Sequence, residues 1–156
     1  MTELKEWREV TVICEQLMNR ISSNFVGLAL QNKVGPDVRW HFASGNLNDK
    51  FQRITVRFGK GIAGKIISTG SPMMMIDFPN NIAGKVTDYP IMLAEKLVAT
   101  FAVPLFFNAV PKGVLLVGKR EPHTFHEFEQ EQVKEAAKSL EFVLKEHIMG
   151  DLYGER

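Results

Sequence analysis

The spacing of apolar residues changes along this chain, and each change marks a different kind of element. In the first segment Leu4, Trp7, Val10, Cys14, Leu17, Met18 and Ile21 recur every three or four positions with charges between them, which predicts a helix over about 3–21. Phe25 to Leu30 is a short apolar run. Asp37 to Ala43 alternates, so Val38, Trp40 and Phe42 are expected on one strand face and Asp37, Arg39 and His41 on the other. Gly35 and Pro36 supply the turn of a hairpin. The last third reads as a second hairpin, Val98 to Phe107 and Gly113 to Lys119, in which Pro104 predicts a bulge or a sheet edge. Behind it, Val133, Ala136, Ala137, Leu140, Val143, Leu144 and Ile148 form one stripe, predicting a helix over about 125–148. Thr124 with Glu127 three positions on predicts a capping box at its start.

Between the hairpins the periodicity fades and turn formers take over. Gly59-Lys60-Gly61-Ile62-Ala63-Gly64 through Gly70 predicts a tight turn, a short helix from about Ile62 and a glycine stop. Met73 to Ile76 reads as a core strand. Phe78 to Asp88 carries Pro79, Asn80, Asn81 and Gly84, which predicts a loop able to close as a lid. After Tyr89, Pro90 opens a second short helix through Ile91, Met92 and Leu93. The fold class expected is α+β: a mostly antiparallel sheet of five or six strands with both terminal helices on one face. The short helices and a ligand pocket then fall on the other face.

Composition narrows the function classes. At 156 residues the chain suits one domain, 1–156. Its 19 basic and 18 acidic residues leave a net charge of +1 and no run of basic residues, so neither nucleic acid nor an anionic membrane is an expected partner. No apolar stretch approaches the ~20 residues of a membrane span. Met1 to Arg8, with Glu3, Lys5 and Glu6, lacks the apolar run of a signal peptide, so a cytoplasmic protein is expected. The lone Cys14 sits on the helical stripe and reads as a small buried hydrophobe. His123 and His126 read as part of a helix-cap segment, not as metal ligands, and no catalytic constellation is visible. The expectation is a protein that is not an enzyme and that needs no cofactor or metal.

Three stretches give the chain a wider likeness: Gly59-Lys60-Gly61-Ile62-Ala63-Gly64 with Gly70-Ser71-Pro72, then Ala102-Val103-Pro104-Leu105, then Lys112-Gly113-Val114-Leu115-Leu116 followed by Phe125 and the last helix. In this order they resemble the GAF family of sensory domains across almost the whole chain. Within the family the chain is most similar to free-standing bacterial nitrate receptors, through Trp40, Gly61-Ile62-Ala63-Gly64 and Asp88-Tyr89-Pro90-Ile91-Met92. The resemblance implies a nitrate sensor that modulates a two-component sensor histidine kinase. It implies nitrate held by the backbone N–H groups of Ile62, Ala63 and Ile91 and by the indole N–H of Trp40, with Tyr89 and Pro90 as pocket wall. Ile62 stands where the family is expected to have Leu, a change that leaves a main-chain contact intact. The alternatives are a dimerisation or scaffold module without a specific ligand, and a sensor of a small organic metabolite. The thiol relay of a GAF-fold methionine sulfoxide reductase needs several cysteines, and a bilin site needs one in the pocket; Cys14 supplies neither.

The residues themselves suit a small anion. Each short helix start leaves free N–H donors and a partial positive charge, and two such starts facing one pocket bind an anion without a charged side chain. Nitrate, monovalent and weakly hydrated, tolerates neutral donors; sulfate and phosphate lose far more on burial. Trp40 adds a donor that cannot accept. The plainer readings stay open: the glycine stretch as a turn, Trp40 as core, Tyr89-Pro90 as a helix start. The apolar stripes of the terminal helices also predict a weak homodimer.

Overall fold

The computed structural model describes the backbone of residues 2–153 and the side chains of residues 7–148. Leu4, at the head of the predicted first stripe, lies outside the described side chains. The order is α1 (Thr2–Arg20), β1 (Phe25–Gln31), β2 (Val38–Ser44), β3 (Thr55–Val56), α2 (Gly61–Thr69), β4 (Met73–Met75), α3 (Pro90–Ala94), β5 (Ala99–Phe107), β6 (Val110–Lys119) and α4 (Glu127–Tyr153). Single 3-10 turns at Lys50–Arg53 and Val86–Asp88 precede β3 and α3. The strands form one six-stranded antiparallel sheet in the order β3-β2-β1-β6-β5-β4.

The central strands β1, β5 and β6 are apolar on both faces, because both are covered. On one face Val26, Leu28, Phe101, Val103, Leu105, Leu115 and Val117 pack against Val10, Cys14 and Leu17 of α1 and Val133, Ala137, Leu140 and Leu144 of α4. On the other, Phe25, Ala29, Ala102, Val114 and Leu116 pack against Ile62, Ala63 and Ile66 of α2 and Ile91 and Met92 of α3. Cys14 is fully buried, and burial, helped by Glu15, pushes its thiol up to about 12; it packs as an inert apolar group.

Three local readings of the sequence are corrected. First, Phe42 does not share a face with Trp40. Leu28 pairs with Phe42 and the next residue, Ala29, with Trp40, so His41 is one residue too many and forms a bulge. The extra residue turns Phe42 toward the helical face and Ala43 toward the α2 side. His41 lies parallel to Trp7 of α1 at 6.4 Å. Second, Met73–Met75 is an edge strand, half-buried, with Met74 exposed. Third, the carboxylate that reaches back at the start of α4 is Glu129, accepting the His126 N–H at 2.8 Å; Glu127 is not the partner. The bulge or edge expected around Pro104 is present: β5 shifts register between Leu105 and Phe106.

β4 covers only Thr100–Ala102 of β5. Beyond it β5 runs on as an open edge, where Phe106 donates its N–H to Glu141 Oε2 of α4 at 2.8 Å.

Candidate functional site

α2 can start where it does because of glycine. Gly61 has φ +63°, and a Cβ there would lie 3.1 Å from Val56 Cγ1 and 3.6 Å from the Asp88 carbonyl oxygen. This close approach sets the first turn of α2 against the residues that lead into α3. A Cβ on Gly64 would fall 2.1 Å from the Arg57 carbonyl oxygen, so that position too requires glycine. At its far end α2 stops on Gly70, in the left-handed region, whose N–H bonds to the Ile66 carbonyl. Pro90 opens α3 at its first turn.

Neither helix start has a side-chain cap: the residues before them are Lys60 and Tyr89, and neither side chain bonds to the first turn. The Tyr89 hydroxyl instead donates to the Ala83 carbonyl at 2.6 Å, tying the 78–88 loop to α3. Phe78, buried at the base of that loop, meets the Tyr89 ring edge to face at 5.9 Å. Lys65 of α2 lies over the same ring at 5.6 Å, joining the two helix starts.

Five of the six residues expected at the site, Trp40, Ile62, Ala63, Tyr89 and Ile91, are buried together in one core cluster. Trp40 is only 1% exposed. The sixth, Pro90, lines a separate open cleft of about 530 Å³ together with Arg57, Lys60, Gly61, Lys65, Gly84 and Asp88. The cleft is more cationic than the sequence suggests, since Arg57, Lys60 and Lys65 face one carboxylate. That carboxylate, Asp88, already accepts the Lys85 N–H at 2.9 Å.

Sequence reasoning missed Glu95, immediately after α3. It is fully buried, and its Oε1 accepts from Arg120 Nη2 at 2.9 Å and from the Leu47 N–H at 2.8 Å. A single Glu after a short helix looks like any solvated residue, and its partner lies 25 positions away. His123 pairs with Glu129 at 2.8 Å, and among the described residues no group of three or more potential ligands could hold a metal ion.

The model of the GAF domain matches residues 9–145. The chain belongs to the GAF family. Among solved structures, this GAF domain is similar to NreA of Staphylococcus aureus mutated in its nitrate binding site, at 30% identity over 81% of this chain and 96% of that one, with a TM-score of 0.71. It is similar to hypothetical protein SA1058 of S. aureus at 34% identity over 70% of this chain and 91% of that one, TM-score 0.66. The free methionine-R-sulfoxide reductase of Neisseria meningitidis, 21% identical over 86% of this chain and 77% of that one, TM-score 0.68, shares the fold alone. No functionally curated protein shows significant sequence similarity to the chain. None of the described helices is long and apolar enough to cross a membrane.

Proposed function

We propose that this GAF domain, acting as one unit over 1–156, is a cytoplasmic nitrate sensor that modulates a two-component sensor histidine kinase by contact. Nitrate sits between the starts of α2 and α3, on the N–H groups of Ile62, Ala63 and Ile91 and the indole N–H of Trp40, with Tyr89 and Pro90 as its wall. One observation supports this reading: two helix starts without side-chain caps share a core cluster with a buried tryptophan, whose indole can only donate. The kinship with NreA supports nitrate as the anion. No cofactor, metal or catalysis is needed. Outward-facing Phe128 and Phe142 on α4, the latter 83% exposed, support weak homodimerisation through the helical face.

A thermal-shift screen tests the ligand. At 100 times its dissociation constant nitrate should stabilise the fold by ~2.7 kcal/mol, with sulfate and phosphate far behind. Equal shifts from sulfate and nitrate would refute a site of neutral donors. A second reading, a sensor of a small organic anion, is favoured by the 530 Å³ cleft and its three cations, which exceed what nitrate needs. In that case a carboxylate or phosphate ester gives the larger shift. Kinase modulation is read from autophosphorylation of the partner kinase with and without the GAF protein and nitrate.

A further inference from the structure

The sheet separates the two short helices from the two long ones, and a polar network built on the buried Glu95 at one end of it joins them. Ile91, at the start of α3, accepts the Glu95 N–H at 3.1 Å through its carbonyl, so the two residues are one helical turn apart. The Glu95 carboxylate holds Arg120, and the Arg120 Nε donates to the Glu95 carbonyl at 2.9 Å. Arg120 is the residue after β6, on the way to α4. Its Nη2 also donates to the Gly45 carbonyl at 3.1 Å, and its own N–H donates to Asn24 Oδ1 at 2.9 Å. Asn24 lies between α1 and β1. The network therefore runs from α3 on one face of the sheet to the points where α1 and α4 leave it.

A buried ion pair is poor evidence for stability, since apolar replacements often do as well. This one is also incomplete. Glu95 Oε2 is buried with no hydrogen-bond partner among the described residues, which raises the energy of the resting arrangement.

Resting on the anion site proposed above, we infer that the Glu95–Arg120 pair is a positioning element: it fixes the Ile91 N–H for the anion and carries occupancy of the site to the roots of α1 and α4. Hydrogen-exchange mass spectrometry on the full chain, in sodium nitrate against sodium chloride, tests it. In wild type, nitrate should slow exchange in residues 61–66 and 90–94 and also in 22–26 and 118–124. In Glu95→Gln it should slow only the first two segments, with affinity about tenfold weaker. Arg120→Lys, whose ammonium lacks the planar fork that reaches Glu95 Oε1, the Glu95 carbonyl and the Gly45 carbonyl together, serves if Glu95→Gln does not fold. Where nitrate protects 61–66 and 90–94 in wild type, slowing of 22–26 and 118–124 that is absent there, or that persists in the folded variant, overturns the inference. If nitrate protects nothing in wild type, the anion reading fails, and the relay is judged without ligand. Ile91→Ala should then speed exchange at 22–26 and 118–124 in wild type but not in Glu95→Gln; the same speeding in both sinks it.

Discussion

On the face covered by α1 and α4, the sheet meets two long helices whose apolar side chains run in unbroken stripes, and nearly every contact is a side chain in a side chain. On the opposite face it meets α2 and α3, only nine and five residues long, set by glycines and a proline, with main-chain donors at their starts. The first face spends its sequence on stability. The second gives up regular packing for donors and space, and the proposed ligand site lies there.

The comparison breaks most visibly if the two faces are not separable. Leu140→Ala, in the fully buried stripe of α4, should cost about 2–5 kcal/mol of stability. It should leave nitrate affinity of the folded molecules unchanged. Urea denaturation and titration calorimetry on the same samples check both halves.

Next in size is the reverse experiment. Trp40→Phe removes the indole donor but keeps an aromatic ring, and nitrate affinity should fall by about ten- to a hundredfold, or ~1–3 kcal/mol. Ala63→Pro, which deletes an N–H at the start of α2, should cost at least as much. Calorimetry in which both folded variants bind nitrate like wild type would remove the donors from the model.

Lys65→Ala sharpens the boundary between cleft and core. It loses a cation over the Tyr89 ring, worth about 0.5–1 kcal/mol of stability at an accessible site, and it should change nitrate affinity less than Trp40→Phe does. A larger loss of affinity would move the anion out into the cationic cleft.

The smallest effect belongs to the helical face. Burial against Trp7, with Arg39 and His147 nearby, lowers the pKa of His41 from its usual value near ~6.5. The unfolded chain therefore takes up the proton first. The contribution of His41 is intact at neutral pH and is lost as pH falls from ~6.5 toward the folded value. His41→Asn should flatten that limb of the stability profile, measured by chemical denaturation from pH 8 to 5.

How far the sequence could be read follows the same division. α1 and α4 announce themselves by period, and α2 by glycines at both ends. The face of Phe42 was misjudged because a bulge adds a residue without changing the apolar pattern. β3, two residues long, has no pattern to detect. For the proposed site, the six expected residues rest on helix-start chemistry and family likeness. The Glu95–Arg120 pair could not be, since a buried ion pair between distant positions leaves no local mark.

The open end of β5 has a consequence for the molecule among its neighbours in a crowded cell. A stray strand seeking to extend the sheet there meets Pro104, which has no N–H to offer, and then Phe106, whose N–H is already held by Glu141. The edge is chemically spent before any other chain arrives. This stretch of β5 is therefore a poor template for strand-to-strand pairing between copies of the protein.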